Sequence, residues 1–549
     1  MSFLSKVLIY SYNDSVLNLL KTHFSYRASS HIDFLTNSIF NYSLKFIHPV
    51  LLNNLLLLVG LFMSLYLSYK VFRYINLSKL VAVVLSVIYS TSSYYIYRVI
   101  SGTIALYFIF VFLLIIYFLL KKAPPLILSL LVVVALLISN YYGFFCSIVV
   151  VLWYLSDIFL YKKISWELLK RRFLDIIIFL LTVILFISIL FLPLLQSNLP
   201  FLGKYQKSTV NTISTSIYRP LEDWYSLSFR PWYFFIPPQT SLFFGSLSKD
   251  IYKRLESTNY YLADDYMEEE MAGSYMGWNF LLGMGAVATL LLLKKYKKKE
   301  FPVFKTVYEN KEMITRSFFI IFCILLISGP PSLTIRGITF YTPSYLLYYI
   351  IPVFRTLVRW AVVIYLLVLI INSYLIQDLY NLMKKTWQKV LFIVIFLTLN
   401  FVIFAIKIPV ININKPPMEI AYLKKEFPGS VSYAVYPKGD YYSIFWIISH
   451  EDLLINPVSF IDYKTGFESS KFSTNLITKE GIKEFLTHKP SYLIYYEGEI
   501  SDDDIEKITK VNPELTSRED IAGFFEVELG NGVTVGDSII YSLDIPEIN

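Results

Sequence analysis

Two arginines stand four positions apart in the segment FRTLVRW, which opens a long apolar stretch: Arg355 and Arg359. In an α-helix, residues four apart share one face. Two guanidinium groups on one face bind a phosphate or pyrophosphate through paired hydrogen bonds. The alternative is that both side chains only anchor the helix at the lipid headgroups. The pattern therefore predicts either a lipid-phosphate site or a helix anchor.

A third arginine, Arg98, lies in YSTSSYYIYRVISG, where two apolar segments meet. A charge inside a membrane or at its rim is costly and usually functional. Arg98 is therefore a further candidate for binding a lipid phosphate. Its alternative role is again that of an interface anchor.

Carboxylates that could activate a hydroxyl group occur in two segments. Asp33, in SSHIDFLTNSIF, could take a proton from an acceptor hydroxyl, with His31 beside it as an acceptor contact. Asp223 is the second candidate base, and its neighbours Glu222 and Trp224 are candidate sugar contacts in YRPLEDWYSLSFRPWYFFIPP. The alternatives are a solvated loop acid in the first segment and an interfacial helix with an aromatic belt in the second.

A run of acids follows, and it could bind a hard divalent cation through Asp264 and Asp265, with Glu268, Glu269 and Glu270 nearby. Acidic runs are more often solvated surfaces, which is the alternative. The sequence contains no phosphate-binding glycine loop, HExxH pair, CxxC pair or nucleophile elbow. With 5 His and 2 Cys, a dedicated zinc site is not expected. The cofactor stays undefined apart from this divalent cation.

Membrane-spanning helices must position these residues. The chain is 56% hydrophobic and only 16% charged, whereas soluble proteins are about a quarter charged. The pattern predicts a polytopic α-helical membrane protein, with a multi-span domain at 49–407 that includes an external loop at 196–273. Apolar segments of roughly twenty residues, enough to cross a bilayer, start near ten positions: Pro49, Leu80, Ile100, Leu126, Phe144, Phe173, Ser274, Phe318, Val358 and Val390.

Basic residues mark every second connection between these segments, as at 294–299 and 384–389. Cytoplasmic connections carry an excess of Lys and Arg, so the alternation places the other connections and residues 408–549 outside the cytoplasm. This topology accounts for the net charge of +8 without a nucleic-acid partner. It also places residues 1–48 outside or in the interface, unless a first helix is missing from the start.

Residues 408–549 have the pattern of an extracytoplasmic α/β domain. Helix-period segments at Thr478–Leu486 and Asp502–Lys510, the second with Ser501 as N-cap, flank an apolar strand at Ser491–Tyr496. The dipeptide Asn531-Gly532 favours a tight hairpin turn and predicts strands on both sides of it, at 524–529 and 533–541.

The order of segments resembles the C-type (GT-C) glycosyltransferase superfamily, particularly its YfhO-like branch. The resemblance covers most of residues 80–500, and its most specific part is SGPPSLTIRGITFYTPSYLLYYIIPVFRTLVRW. The other matching stretches are LSVIYSTSSYYIYRVISG, LLISNYYGFF, WYFFIPP, SYMGWNFLLG, YYSIFWIISHEDLLINPVSF and HKPSYLIYYEG. This sequence departs from the family in lacking a helix immediately before the first loop.

The resemblance implies a polyprenyl-phosphate-sugar donor used at the outer membrane face to glycosylate a lipid, a polymer or a surface protein. It implies that Arg355 and Arg359 lie near a lipid-phosphate pocket and that Asp33 is the first-loop acid. The expected partners are membrane lipids and this donor, and the expected location is the cell membrane. The rival interpretation is a non-enzymatic multi-pass protein, either a lipid-linked-sugar transporter or a component of membrane assembly or export.

Overall fold

The computed structural model describes most of the chain from residue 49 onward. The described residues are 7–9, 46, 49–100, 104–160, 166–198, 221–256, 268–298, 300–335, 338–351, 354, 356–406, 410–412, 418–426, 432–437, 453–454, 476–487, 491–500, 502–536 and 538–543.

Each of the ten predicted apolar segments contains an α-helix, because a chain in a membrane must satisfy its backbone hydrogen bonds internally. In chain order these helices are α1 (Pro49–Tyr74), α2 (Lys79–Ser90) with its continuation α3 (Ser93–Ile100), α4 (Phe110–Leu120), α5 (Pro125–Ile138), α6 (Asn140–Leu160), α7 (Trp166–Asn198), α11 (Trp278–Lys297), α13 (Lys311–Ser328), α15 (Ala361–Leu382) and α16 (Thr386–Phe404). Shorter helices lie between them: α8 (Leu221–Ser226), α9 (Gly245–Glu256), α10 (Glu268–Met271), α12 (Lys305–Glu309) and α14 (Pro343–Ile350).

Six of these helices are long and apolar enough to cross a membrane, and the bent pair α2–α3 makes up to seven. At a rise of about 1.5 Å per residue, α4 and α5 are shorter than the hydrocarbon layer. Helix α13 spans 18 residues but carries Lys311, Glu312 and Arg316. The chain therefore has the architecture of a helical membrane protein, and the count of ten crossings stays a prediction.

Helix α15 lies at the centre of the bundle. Nearly all of its residues are buried, and it packs against α2, α11 and α13. Most of its side chains are apolar, as expected of a helix surrounded by other helices, and it also buries Asn372, Ser373, Gln377 and Asp378. Helices α7 and α16 instead leave large apolar side chains exposed, including Leu181, Ile184 and Phe401. Such faces are typical of surfaces that contact lipid or another protein.

The junction of α5 and α6 requires a glycine. A Cβ atom at Gly143 would lie 2.5 Å from Leu136 Cα and 2.7 Å from its backbone nitrogen. We expect Gly143→Ala to force these helices apart and to lower the free energy of unfolding by about 1–3 kcal/mol. At Gly285 on α11 an added Cβ meets nothing within 4 Å, so Gly285→Ala is the control and should not destabilise. Denaturant unfolding in detergent measures the free energy of unfolding of both variants. Equal values for the two would contradict the close packing at Gly143.

A short strand from the N-terminal segment pairs with the chain beyond the last span. Strand β1 (Val7–Ile9) runs antiparallel to β4 (Val410–Asn412), with Leu8 opposite Ile411. Antiparallel partners must lie in the same compartment, so these two segments are on one side of the membrane. A second two-stranded sheet, β2 (Ser332–Ile335) with β3 (Ile338–Tyr341), follows α13.

The C-terminal segment forms a five-stranded sheet in the order β6-β5-β7-β9-β8. Its strands are β5 (Ser432–Tyr436), β6 (Leu453–Leu454), β7 (Tyr492–Tyr496), β8 (Val533–Val535) and β9 (Ser538–Ser542), and its helices are α17 (Met418–Glu426), α18 (Lys479–Thr487), α19 (Asp502–Val511) and α20 (Arg518–Leu529). Strands β5, β6 and β7 are parallel, and β9 joins β7 antiparallel. The predicted strand at 491–496 and its two flanking helices are confirmed. Ser501 lies outside the described residues.

The predicted hairpin is displaced. Residues 524–529 belong to α20, which Ser517 caps by accepting from the Asp520 backbone N–H, and Gly530 follows its end at φ +95°. The turn instead lies between β8 and β9, where Val535 pairs with Ser538 and Gly536 has φ +61°. Both dipeptides, Asn-Gly and Gly-Asp, suit such turns. Because residues 524–529 form the capped helix α20, they cannot pair as a strand across Asn531-Gly532, and the hairpin forms at Gly536 instead.

Candidate functional site

Two arginines and one glutamate from three separate segments meet inside the bundle. Arg98 on α3 donates from Nη1 to Glu270 Oε2 at 2.7 Å, and its Nη2 reaches the Glu270 carbonyl at 3.5 Å. Arg359 approaches the same carboxylate with two nitrogens: Nε lies 3.0 Å from Oε2, and Nη2 donates to Oε1. The paired contact is the geometry in which a guanidinium binds a carboxylate or a phosphate.

Among the described residues, the arginine beside Arg359 is therefore Arg98. The helical turn begins at Leu357, and Thr356 before it has φ −96° and ψ 75°, which is not helical. The pairing of Arg355 with Arg359 on one helical face stays a prediction. Arg355 itself lies outside the described residues.

The three charged side chains are withdrawn from solvent. Arg98 is fully buried, while Glu270 and Arg359 are each 12% exposed. Burial alone would raise the pKa of the Glu270 carboxyl. The charges and hydrogen bonds of Arg359 and Arg98 outweigh burial and lower its pKa from 4.5 to about 2. Glu270 is therefore ionised, and the cluster carries a net charge of +1.

Tyrosine rings surround both guanidinium groups. The Arg98 guanidinium lies 5.4 Å from the Tyr94 ring centre, and that of Arg359 lies 4.6 Å from Tyr141. Both distances are within cation–π range. The Tyr94 hydroxyl lies 3.4 Å from that of Tyr142, which donates to the Leu106 carbonyl at 2.7 Å. These rings form polarisable walls that hold the arginines in place.

Of the other predicted site residues, Trp224 is the one whose side chain the structure describes. Trp224 is fully buried and packs edge-on against Tyr348 at 5.3 Å, so it is a packing residue and not an open sugar platform. Glu222 and Asp223 lie with it on α8. Four candidates lie outside the described residues: His31, Asp33, Asp264 and Asp265.

No group of three or more potential metal ligands occurs among the residues that the structure describes. Glu270, the last member of the acidic run, is held by two arginines, which leave no room for a cation at its carboxylate. Two neighbouring positive charges would also repel a metal ion. Glu270 is therefore an ion-pair partner in this structure.

Sequence reasoning missed a second ionic cluster, centred on Asp157 in α6. Asp157 Oδ2 accepts from Arg172 at 2.8 Å, and Oδ1 accepts from Arg316 on α13. Arg172 also pairs with Asp175 at 2.9 Å. The available signal was the acid itself, within the apolar run LWYLSDIFL. An acid in such a run needs a buried partner.

Comparisons with protein-family models, with curated protein sequences and with solved structures give no match to this chain. The chemistry of the Arg98–Glu270–Arg359 cluster must therefore be judged from its geometry. A carboxylate with a pKa of about 2 is a poor proton acceptor at neutral pH. Two converging guanidinium groups are a good receptor for an anion, and Glu270 is the anion they hold here.

Proposed function

We propose that this chain is a multi-pass membrane glycosyltransferase-like protein that binds a polyprenyl-phosphate donor at the outer membrane face. The observation that carries the proposal is the convergence of Arg98 and Arg359 on one carboxylate. In the proposed reaction an acceptor hydroxyl attacks the sugar, the bond from sugar to phosphate oxygen breaks, and the phosphate leaves with the bonding electrons. Arg98 and Arg359 stabilise that leaving anion.

The proposed topology has ten crossings and an extracytoplasmic C-terminal domain. It counts the six full spans, the bent pair α2–α3 and the three helices α4, α5 and α13. The β1–β4 pairing supports an even number of crossings between residues 9 and 410, because both strands lie on one side. The connections rich in Lys and Arg support a cytoplasmic location for the side of the membrane opposite to β1 and β4.

The carboxylate of Glu270 occupies the proposed phosphate site. A phosphate must therefore displace it or share the two arginines with it. Glu270 lies on the short helix α10, which directly follows the part of the long loop outside the described residues. The candidate bases for the acceptor hydroxyl remain Asp33 and Asp223, and a divalent cation at Asp264 and Asp265 remains part of the proposal.

Binding of a polyprenyl phosphate to the purified protein tests the proposal. We expect Arg359→Lys, which keeps the charge but loses the two-pronged contact, to weaken binding about ten- to hundredfold. Glu270→Gln should strengthen binding, because it removes the competing anion. Glu300→Gln is the control, since Glu300 is 57% exposed and pairs only with Lys294 in the described structure.

Unchanged affinity in both Arg359→Lys and Glu270→Gln would contradict the phosphate site. Affinity that falls in Glu270→Gln would show that the carboxylate supports the bound state and does not compete with the ligand. If the wild type releases polyprenyl phosphate from a sugar donor and Arg359→Lys does not, the result extends from binding to sugar transfer.

One observation favours a second candidate function, a non-enzymatic role in membrane assembly or transport. The two arginines are already paired with a buried carboxylate, which is also how a purely structural ion pair is built. In that case the cluster joins three segments and binds no donor.

A further inference from the structure

A cavity of about 710 Å³ lies at the ends of helices α4 to α7 and α13, away from the arginine–glutamate cluster. Its volume is in the range of small-molecule binding sites. Three arginines and two aspartates line it, together with Trp153 and Tyr154. None of these residues has a part in the proposed glycosyl transfer.

The inner part of this cavity is electrically neutral and is joined by ion pairs. Arg172 and Arg316 both donate to Asp157, and Arg172 also donates to Asp175. The Arg316 guanidinium lies 4.5 Å from the Trp153 ring centre, which fixes it from the other side. Two positive and two negative charges cancel, so this network supplies shape and hydrogen-bonding edges without attracting a net charge.

The outer lining carries charges that are separated by sign. Lys122, in the turn between α4 and α5, and Arg171 on α7 are exposed cations. Glu309 at the end of α12 and Glu312 at the start of α13 are exposed anions. Glu309 has only a long contact of 3.6 Å with exposed Lys305. The cations and the anions thus come from different segments of the lining, which suits a ligand with two separated charges of opposite sign.

The surface beside the cavity indicates a lipid. Leu126 follows the lining residue Pro125, and Phe173 and Leu174 follow Arg172; their exposed fractions are 52%, 47% and 53%. Leu119, Leu120 and Met313 in the lining are apolar as well. A molecule with its headgroup in the cavity can therefore place acyl chains against apolar surface, which a soluble zwitterion cannot use.

We propose that this cavity binds a zwitterionic phospholipid, with the phosphate at Lys122 and Arg171 and the ammonium group at Glu309 and Glu312. The binding is non-covalent and independent of the proposed transferase activity. A bound lipid would bridge α5, α7 and α13 at the ends that carry the basic connections.

Native mass spectrometry of the delipidated full-length protein tests this proposal. The protein is incubated with equal amounts of phosphatidylethanolamine and phosphatidylglycerol that have identical acyl chains. We expect phosphatidylethanolamine to be retained preferentially. Lys122→Ala/Arg171→Ala and Glu309→Gln/Glu312→Gln should each reduce its retention about tenfold. All four residues are exposed, so the fold should persist.

The matched control is Lys297→Ala/Lys384→Ala, which removes two exposed cations outside the cavity lining. An equal loss in this control, or preference for phosphatidylglycerol, would overturn the proposal. A loss in the lysine–arginine variant alone would also overturn it, because the site would then recognise only an anion. Glycerophosphoethanolamine has the same headgroup but no acyl chains. If it competes as strongly as the intact lipid, the acyl chains do not contribute to binding and the ligand need not be a lipid.

Discussion

Replacing Glu270 with Ala is expected to lower the free energy of unfolding by about 3–5 kcal/mol, because two withdrawn guanidinium groups lose their shared carboxylate. Denaturant unfolding of the purified protein in mixed micelles measures this loss. Glu300→Ala removes a carboxylate from an exposed pair with Lys294 and should cost less than about 1 kcal/mol. Similar losses in the two variants would contradict the assignment of Glu270 as a buried ion-pair partner.

The same ion pair predicts a pH dependence. The folded state lowers the pKa of Glu270 from 4.5 to about 2, so folding favours the ionised form. The stability that Glu270 contributes should be fully present above pH 4.5 and should be lost as the pH falls toward 2. The difference in stability between the wild type and Glu270→Ala should therefore be constant between pH 6 and 8 and should shrink below about pH 4.5. A difference that already shrinks above pH 6 would contradict the lowered pKa.

The second large effect is expected at Asp157, which joins three helices. Its carboxylate is 7% exposed and accepts from Arg172 on α7 and Arg316 on α13. Asp157→Ala leaves both arginines without it and should cost about 3 kcal/mol. Asp175 is the matched control, because it pairs with Arg172 alone and is 19% exposed. Asp175→Ala should cost about 1 kcal/mol. Denaturant unfolding of the two variants measures the two losses of free energy of unfolding. Equal losses would contradict the assignment of Asp157 as the central residue of this cluster.

The two clusters have one physical feature in common. In each, one carboxylate holds two arginines from distant parts of the chain. Such a pair contributes less net stability than its Coulomb energy suggests, because both partners are desolvated, but loss of one partner is costly. The clusters therefore fix which helices are neighbours, while α15 contributes a long buried apolar surface at the centre of the bundle.

The sequence by itself determined that the chain forms a series of apolar helices. An apolar segment in a membrane becomes helical because it must form its backbone hydrogen bonds internally, and this requirement acts locally. Strand β7 was equally predictable, since the apolar run at 491–496 lies between two amphipathic helical segments. The need of Arg98 and Arg359 for partners was also visible, because a charge at a membrane rim is costly unless it is paired.

Only the tertiary structure decided which partner each charge has. Arg98 and Arg359 are 261 positions apart, and Glu270 is 172 positions from one and 89 from the other. No periodicity relates such positions, so the acidic run suggested a metal and the four-residue spacing suggested Arg355. The hairpin was misplaced for a similar reason: Asn531-Gly532 suits a turn locally, but the buried face of α20 against the sheet keeps residues 524–529 helical. Local propensity is weak compared with burial, and burial depends on the whole chain.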